Sequence, residues 1–474
     1  MAVHPFDYDL QTDFYSTPEL RDLFDERARM ARWLRFEAAL AEAQGELGVI
    51  PAASADVISK MASLEHLDLE GVREGYKTTR NSVMPILKAL RGACGPEHGG
   101  YVHHGATTQD AIDSGEMMAL KDGLAIALRD LLSIEGELLN LADRHRQTPM
   151  IGRSHGQQAI PISFGLKVAI WLGEVRRHVE RLKSVLATAP VGQLGGAVGT
   201  MAALTDQAPE VKRRVMDKLG LVYALPAWHT SRDNVAEACS VLTMASATAA
   251  KIADEVFELG RTEFGELREP AGTPGVMSSS TMPHKRNPVL CQRVKVMERH
   301  VRSLLGVVME SMNHRNERDP RALWAEWLAV PQMLIYSASI MAYLKQITAG
   351  LEVYPARMLS NLHIHGDLVS SEWLLFRLAE RVGKVNAQEA LHKAGQDAAA
   401  QGTSLVEALR ADAEISSALT EEDLTRAEQP ELYTGWSETI VAEVVDAVRA
   451  ARASDTPLHL EPLILEATPH ERYA

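Results

Sequence analysis

The sequence predicts an all-α fold, and three observations support that prediction. The chain of 474 residues is rich in alanine, leucine, glutamate and arginine, which are strong helix formers. Only 5% of its residues are aromatic, and runs of β-branched residues are few. Apolar residues recur at spacings of three and four over several long stretches between residues 110 and 360. We therefore expect long amphipathic helices.

The length exceeds that of a typical single domain, so the chain is expected to form several. We predict an N-terminal helical domain of residues 1–110, a central bundle of long helices over residues 111–362, and a smaller helical domain of residues 363–474. Hydrophobic residues make up 46% of the chain, which is enough to give each domain its own core.

Charge and cysteine content narrow the classes of partner. A net charge of −14 argues against a nucleic-acid backbone or an anionic membrane as the main partner, although local cations can still bind a small anion. The three cysteines are widely spaced and form no metal-ligand pattern, which is typical of a reducing compartment. The N-terminus shows no secretory signal, and no uncharged run reaches transmembrane length. We expect a cytoplasmic protein without metal or cofactor.

The elements follow in order along the chain. Apolar residues at near-helical spacing between positions 20 and 40 predict a first helix, which Gly48 and Pro51 end. The longer apolar seams predict five further helices, which reach to about residue 147 and then span about 160–188, 232–262, a stretch after Pro288, and 324–348. Such seams suit a bundle of nearly parallel helices, and they exceed what one chain can bury, so self-association is expected.

Polar or glycine-rich segments separate these helices. Lys77 to Ser82 is a polar cluster before a helix, and residues 101–110 place the hydroxyls of Thr107 and Thr108 near a helix start, where they can donate to a carboxylate. Residues 192–200 are rich in glycine but follow a helix rather than a strand. They therefore predict a tight turn, not a phosphate-binding loop.

The stretch from Gly272 to Pro288 has the most unusual composition. Its glycine, proline and serine content predicts a mobile loop, and the following residues are helical in pattern. Asn287 is a suitable N-cap and Pro288 a suitable first helical residue. With Lys285 beside free backbone N–H groups and the helix dipole, this segment predicts an anion-binding site.

Residues 279–288, Ser-Ser-Thr-Met-Pro-His-Lys-Arg-Asn-Pro, resemble the signature S-S-x-M-P-x-K-x-N-P of the class II fumarase/aspartase superfamily. That superfamily includes adenylosuccinate lyase, argininosuccinate lyase, aspartase, fumarase and 3-carboxy-cis,cis-muconate cycloisomerase. Residues 101–110 resemble its H-x-G-x-T-S-x-D segment, and residues 153–159 resemble its T-H-x-Q segment. The likeness covers nearly the whole chain and implies the three-domain fold of the superfamily, in which homotetramers share active sites between subunits.

The resemblance also implies roles for individual residues. Ser279 would be the general base that removes a proton beside a carboxylate, and His155 the general acid that protonates the leaving group. Cations and N–H donors would stabilise the dianionic aci-carboxylate intermediate. The predicted substrate-binding residues are Arg80, Asn81, His103, Thr107, Thr108, Gln157, Lys285, Asn287 and Arg318. For Arg80, a solvated cation at a helix boundary is an equally good interpretation.

Three functions remain open on this scaffold. The first, which we favour, is a lyase that eliminates an amino, nitro or similar group from a small non-nucleotide succinate and releases fumarate. The second is a lactonising 3-carboxy-cis,cis-muconate cycloisomerase, and the third a non-catalytic oligomer that has kept the fold. The substrate is thus expected to be a small dicarboxylate or tricarboxylate.

Departures from the adenylosuccinate lyase pattern argue against that activity. Those enzymes carry an Arg-Tyr pair near the N-terminus that helps to hold the nucleotide, and Phe14 stands at the arginine position here. They also carry a serine and an arginine that grip the nucleotide phosphate in the region that Trp324 and Trp327 occupy in this chain. Gln292 replaces the glutamate that usually lies five residues after the signature asparagine.

Overall fold

The computed structural model describes residues 4–8, 13–270, 281–282 and 284–457. Over these residues the chain is mostly helical, and its strands are confined to two small two-stranded sheets, which confirms the all-α prediction. The helices form a long central bundle, with one helical lobe before it and one after it along the chain.

The N-terminal lobe contains five helices: α1 (Pro18–Leu23), α2 (Glu26–Glu46), α3 (Ala52–Met61), α4 (Leu69–Thr79) and α5 (Met84–His98). Short 3₁₀ turns cover Pro5–Asp7, Leu64–His66 and Gly99–Tyr101. The single helix predicted between residues 20 and 40 is broken, because the Asp25 side chain accepts the N–H of Arg27 and starts a new helix. The end of α2 lies where Gly48 and Pro51 predicted it, just before Leu47.

The bundle contains α6 (Thr108–Arg144), α7 (Phe164–Thr188), α9 (Asp233–Leu259), α10 (Val289–Glu310) and α11 (Pro320–Ala349). All five predicted long helices are therefore present, with ends within a few residues of the predicted ones, except that α7 starts later. Between α7 and α9 lie the 3₁₀ turn Ala202–Gln207 and the short helix α8 (Ala208–Leu219).

Helices α6 and α11 run parallel and in step. The Lys345 ammonium, far along α11, binds the Asp130 carboxylate at 2.6 Å, at a similar depth along α6. Closer to their starts the two helices approach so tightly that a Cβ built on Gly123 would lie 3.0 Å from Leu334. The two longest helices therefore run in the same direction, with their starts at the same end of the bundle.

The other bundle helices alternate in direction. Lys167 and Glu255 pair at 2.5 Å near the start of α7 and the end of α9, so these two helices are antiparallel. Lys295 and Asp254 likewise pair at 2.5 Å and make α10 antiparallel to α9. Helices α6, α9 and α11 therefore run one way along the bundle, and α7 and α10 run back.

Helix α11 is long and apolar enough to cross a membrane by length and composition alone. In the fold, 72% of its most apolar window is buried inside the bundle. Packing in the protein core accounts for that composition.

Two small antiparallel sheets lie at the end of the bundle where α6, α9 and α11 finish. Strands β1 (Pro149–Ser154) and β2 (Gln157–Ser163) form a hairpin that joins α6 to α7. The two-residue strands β3 (Leu267–Arg268) and β4 (Glu352–Val353) pair beside it. This hairpin was not predicted, since residues 148–159 were expected to be a break between helices and residues 160–163 the start of the second helix.

The C-terminal lobe follows the bundle. Its helices are α12 (Pro355–Leu362), α13 (Ser371–Val382), α14 (Lys384–Gln401), α15 (Leu405–Ala411), α16 (Ala413–Ser416), α17 (Glu421–Ala427) and α18 (Ser437–Ser454), with 3₁₀ turns at Gly366–Ser370 and Pro430–Leu432. Residues from Leu374 to Ala427 form a separate apolar core, whereas α18 returns to the bundle and packs on α6 and α7. The division at residues 110 and 362 stays a prediction.

Candidate active site

The loop before α6 is organised around the carboxylate of Asp110, which is fully buried. One of its oxygens accepts the backbone N–H of Gly195 and the His229 Nε2–H, each at 2.9 Å. The other oxygen accepts the N–H groups of Gly196 and Thr107, each at 3.0 Å. Four donors thus satisfy one buried charge, and together they clamp the glycine-rich segment of residues 192–200 onto the start of α6. The N–H groups of Gly192, Gln193, Gly195 and Gly196 are thus bound within the chain, although the segment is part of a longer connection between α7 and α8 than the predicted tight turn.

His103 lies in the same loop and is bound by Glu37 of α2. The His103 Nδ1–H donates to Glu37 Oε1 at 2.6 Å, and the two side chains are 9% and 1% exposed. Burial lowers the pKa of His103, but the charge and hydrogen bond of Glu37 outweigh that effect, so its pKa lies above the ordinary value. Glu37 therefore favours the protonated form of the imidazole beside the start of α6.

Arg318 brings a second cation to this place. It lies just before α11 and donates to Ala197 O at 2.9 Å and to Thr107 Oγ1 at 3.4 Å. Thr108 is the first residue of α6, so its hydroxyl lies in the first turn of that helix. We call this region, defined by His103, Thr107, Thr108 and Arg318, the threonine end of the bundle.

A buried ion-pair network supports the threonine end from behind. The Arg232 guanidinium is 2% exposed and donates to Asp113 at 3.1 Å and to Glu326 at 2.9 Å, and it lies 4.4 Å from the centre of the Trp228 ring. Burial alone would lower the pKa of Arg232, but the two carboxylates raise it, so the side chain stays charged. Because these partners come from α6, α11 and the start of α9, the network ties three helix starts together.

Arg80 and Asn81 lie between α4 and α5 in the N-terminal lobe. Arg80 is exposed and ends α4 in a left-handed conformation with a φ of 54°. The Asn81 Oδ1 accepts the N–H groups of Val83 and Met84 at 3.0 and 2.9 Å and so caps α5. Its carbonyl oxygen is therefore engaged in the fold, which leaves the amide N–H₂ as the group that Asn81 could offer to a substrate.

His155 lies at the tip of the β1–β2 hairpin. Ser154 pairs with Gln157, so only His155 and Gly156 form the turn, and their φ angles are 53° and 75°. Two positive φ angles in a two-residue turn are typical of type I′, whose twist suits a hairpin. The turn presents His155 and Gln157 to the surface, and both are exposed.

An ion pair anchors the base of this turn. Arg153 donates to both oxygens of Glu266, at 2.6 and 3.0 Å, and Glu266 is fully buried. Asn361 of α12 donates to the same carboxylate at 2.7 Å. The strand that carries His155 is therefore fixed to the segment next to β3, while the tip itself stays exposed.

The first turn of α10 differs from the prediction. Pro288 rather than Asn287 occupies the N-cap position, and the helix begins at Val289. The buried carboxylate of Glu269 accepts the N–H groups of Leu290 at 3.3 Å and Cys291 at 3.1 Å. The expectation that free N–H groups at this helix start would bind an anion is therefore wrong for those two, because a carboxylate from the chain already occupies them.

The two adjacent cations before α10 have different environments. Arg286 donates to both oxygens of Glu352, at 2.7 and 2.9 Å, and to the carbonyl oxygen of Glu269 at 3.0 Å. Lys285 is exposed and forms no ion pair with the part of the chain that the structure describes. Lys285 is thus the cation that can reach a ligand. Ser279 lies outside the described residues.

We call the second region, defined by His155, Gln157, Lys285 and Asn287, the hairpin end. It lies far from the threonine end within one chain. Helix α6 has 37 residues, and at 1.5 Å per residue it separates Thr108 from the start of the hairpin by about 55 Å. Helix α11 has 30 residues and separates Arg318 from Glu352, the partner of Arg286, by about 45 Å. The predicted site residues at these two ends therefore form two separate groups within one chain, which we call half-sites.

Three carboxylates that organise these half-sites were not singled out by the sequence analysis. They are Glu37, Glu266 and Glu269, which bind His103, Arg153 and the first turn of α10. Glu37 gave a signal, since it lies among apolar residues on the buried face of a helix. No local pattern marks the other two. Among the described residues, no cluster of three or more His, Cys, Asp or Glu side chains is arranged to hold a metal ion.

Residues 14–303 match the family model described as lyase, and residues 367–444 match the model described as adenylosuccinate lyase C-terminus. The chain is 36% identical to an N-acetyl-S-(2-succino)cysteine lyase of Enterococcus italicus over 95% of its own length and 98% of the relative. It is 38% identical to an adenylosuccinate lyase of Pyrococcus abyssi over 94% and 98% of the two chains.

The fold is also similar to a solved structure. The 3-carboxy-cis,cis-muconate lactonizing enzyme from Pseudomonas putida superposes with a TM-score of 0.85 at 32% identity, covering 92% of this chain and 98% of that one. Relatives with three different activities thus lie at similar levels of identity. Overall similarity does not separate these activities, so individual residues must.

Proposed function

The chain belongs to the lyase family of the fumarase/aspartase superfamily, and on that basis we propose that it eliminates a leaving group from a small, non-nucleotide substituted succinate and releases fumarate. The reaction removes a proton from the carbon beside a carboxylate and breaks the bond from the neighbouring carbon to the leaving group. Fumarate and the protonated leaving group are the products.

The chemistry requires a strongly positive environment. Loss of the proton creates a dianion, which cations and N–H donors stabilise. In our proposal Lys285 and Asn287 bind the carboxylate where this charge develops, and Ser279 removes the proton. His155 gives a proton to the leaving group, while His103, Thr107, Thr108 and Arg318 hold the other carboxylate.

One observation carries the restriction to non-nucleotide substrates. The Phe14 ring lies 4.6 Å from the guanidinium carbon of Arg293, in the second turn of α10. The Tyr343 hydroxyl donates to Phe14 O at 3.2 Å and holds the N-terminal segment there. The position at which adenylosuccinate lyases carry a nucleotide-binding arginine thus presents an aromatic ring, which covers a cation near the signature segment instead of adding one.

Because each chain carries two half-sites about 50 Å apart, we propose that copies of the chain complete each other. The threonine end of one copy would meet the hairpin end of another, in the homotetramer that the family resemblance implies. Mixing Thr108→Val with His155→Asn should restore activity, because some sites would then receive a native half from each variant. Two inactive variants that stay inactive after unfolding and refolding together would contradict the shared site.

The identity of the leaving group is the most specific part of the proposal. The relative from Enterococcus italicus is named for a thioether substrate, so a thiol joins amino and nitro groups as a candidate. A thiol has a pKa near 8.5 and leaves far more readily than an amine, which must be protonated. N-acetyl-S-(2-succino)cysteine is therefore the first substrate to test.

The test is incubation of the purified protein with that thioether, with adenylosuccinate and with 3-carboxy-cis,cis-muconate, each followed by NMR. We expect fumarate from the thioether, no fumarate from adenylosuccinate, and no activity in Ser279→Ala. Efficient release of fumarate from adenylosuccinate would contradict the role assigned to Phe14. Activity that survives in Ser279→Ala would contradict the proposed base.

The second candidate is the lactonising cycloisomerase, and one observation favours it. Trp324 and Trp327 occupy the first turns of α11, next to the threonine end, where Trp324 is 59% exposed. Tryptophans in this region are the pattern of the cycloisomerase branch. Formation of a lactone from 3-carboxy-cis,cis-muconate that depends on Ser279 would establish this activity in place of the lyase. The cytoplasmic location stays a prediction.

A further inference from the structure

We propose that Glu37 is a positioning residue whose hydrogen bond to Nδ1 orients the His103 ring and leaves its Nε2 for an anionic ligand at the threonine end. The inference rests on the proposed function for the identity of that ligand, a carboxylate of fumarate or of a substituted succinate. It goes beyond the predicted role of His103, because it assigns the property that makes this residue an anion binder to a carboxylate on another helix.

The contact between the two residues has the geometry of a charge-assisted hydrogen bond. The distance from His103 Nδ1 to Glu37 Oε1 is 2.6 Å, which is short for a bond between nitrogen and oxygen. Glu37 belongs to α2 and is 66 residues away in sequence, so the pair forms only when the N-terminal lobe packs on the bundle. A buried carboxylate of this kind favours the charged form of its partner.

The backbone of the loop fixes the ring in place. His103 has a φ of 65°, in the left-handed region, which the surrounding contacts must stabilise. The Gln44 side chain, also on α2, donates to His104 O at 2.8 Å, and Ala106 N–H donates to His103 O at 3.4 Å. Helix α2 therefore holds both the ring and the chain that follows it.

The remaining nitrogen of the ring is the group that a ligand would meet. His103 Nε2 is buried and has no hydrogen-bond partner among the described residues. With Nδ1–H committed to Glu37, protonation of the ring places a second N–H on Nε2. A buried N–H without a partner is costly, and a carboxylate bound at Nε2 would remove that cost.

The charges around the ring support a cation there. Glu37 from α2 and Asp110 from α6 favour the protonated form, and Arg91 from α5 opposes it. Asp110 is already satisfied by four donors, so Glu37 is the carboxylate whose charge faces His103 most directly. When the charge of Glu37 is removed, burial and Arg91 lower the pKa of His103 and only Asp110 opposes them.

The first experiment is an NMR titration of ¹³C-histidine-labelled wild type and Glu37→Gln, in which the His103 signal is assigned by its loss in His103→Gln. We expect the pKa of His103 to fall by about one unit or more in Glu37→Gln. Glu42→Gln, on the same helix and bound to Ser59 at 2.5 Å, is the matched control and should leave the titration unchanged. An identical His103 titration in wild type and Glu37→Gln would overturn the inference.

The second experiment measures fumarate binding by calorimetry at two pH values, one between the His103 pKa values that the titration gives for wild type and Glu37→Gln, and one below both. Glu37→Gln should weaken binding about tenfold at the first, where only the wild-type ring is charged, and much less at the second, where both rings are charged. A purely structural role for Glu37 would weaken binding equally at both pH values, and that result would also overturn the inference. If Glu37→Gln fails to fold, Glu37→Asp should shift the pKa of His103 in the same direction by a smaller amount. An unchanged pKa in that variant would contradict the inference.

The two proposals fail in different ways. If the wild-type protein eliminates nothing from any substituted succinate, the proposed function fails, but the titration still reports whether Glu37 controls His103. If elimination occurs and the titration is unaffected by Glu37→Gln, only the role of Glu37 fails.

Discussion

The threonine end and the hairpin end differ in how far their charged groups are buried and paired within the chain. At the threonine end the buried charges of Asp110 and Arg232 are paired within the chain, as the four donors on Asp110 and the three-residue network around Arg232 illustrate, and His103 Nε2 is a buried nitrogen that the described residues leave for a ligand. At the hairpin end His155, Gln157 and Lys285 are exposed, and only the residues behind them are paired. The first end is preformed by folding, whereas the second offers its groups outward to a ligand or to another copy of the chain.

This difference implies that substitutions at the two ends should have different consequences. Changes at the threonine end should reduce the free energy of unfolding, because they leave buried charges unpaired. Changes at the exposed tip of the hairpin end should reduce activity while the fold is kept. The following variants test that separation.

The largest effect should come from the tip of the hairpin. Replacing His155 by asparagine, which tolerates a positive φ, should lower kcat by about 10²–10⁴-fold with an amine leaving group, since a general acid supplies that much. The loss with a thiol leaving group should be smaller. The measurement is steady-state release of fumarate from matched amine and thioether substrates.

His363→Asn is the matched control for that variant. His363 follows α12, which packs on β1, and its ring pairs with Glu431 at 3.3 Å, away from the tip. It should keep normal rates. An equal loss with both leaving groups in His155→Asn would indicate that His155 positions the substrate instead of protonating it.

The next largest effect should come from the buried network. Arg232→Met removes the cation that two buried carboxylates share and should lower the free energy of unfolding by about 3–5 kcal/mol. Urea unfolding at a fixed protein concentration measures the change. Arg213→Met, which breaks the exposed pairs with Glu210 and Asp217, should change it by less than about 1 kcal/mol. Similar losses in both variants would show that burial of the Arg232 network gives it no more stability than an exposed ion pair.

A smaller effect is expected at the start of α10. Glu269→Gln keeps one acceptor but loses the charge that binds the N–H groups of Leu290 and Cys291, which should cost about 1–2 kcal/mol. Hydrogen exchange should show faster opening of the first turn of α10, whereas Glu263→Gln, at an exposed position nearby, should not. Unchanged protection in Glu269→Gln would show that the carboxylate does not hold this helix start.

The smallest effect on stability should come from Lys285. Lys285→Met should change the free energy of unfolding by no more than about 0.5 kcal/mol, because the side chain is exposed and unpaired among the described residues. The same variant should lose fumarate binding in calorimetry. Arg286→Met should instead lower the free energy of unfolding, because the pair of Arg286 with Glu352 ties the signature segment to β4. Tight fumarate binding by Lys285→Met would exclude Lys285 from the site.

The long helices could be predicted from sequence because their information is local. Apolar seams repeated over many turns placed α9, α10 and α11 to within a few residues. The β1–β2 hairpin was missed because it is short and carries Pro161, and its polar and apolar residues do not alternate cleanly. Nothing in such a segment distinguishes a strand from an irregular connection.

The contacts that assemble the half-sites could not be predicted, because they join distant parts of the chain. Glu37 meets His103 across 66 residues, and Glu266 meets Arg153 across 113. Helix-cap rules suggested Asn287 for the start of α10, but Glu269 provides the cap from outside that helix. Arg286, but not the adjacent Lys285, forms an ion pair within the part of the fold that the structure describes. Its partner, Glu352, is 66 residues away, so no local pattern could predict which of the two cations is paired.

Because α6 and α11 run parallel and pack on each other, the length of each helix constrains the length of the other during evolution. A single inserted residue would rotate everything beyond it by about 100° and turn apolar side chains into solvent, while deletion of seven would keep the phase but shorten the helix by about 10 Å. Because Gly123 meets Leu334 and Asp130 meets Lys345, one helix cannot change length without the other. Relatives should therefore differ in length in the lobes and loops. The spacing between the two half-sites should stay the same, because no single insertion or deletion in one helix can change it without disrupting the packing of the other.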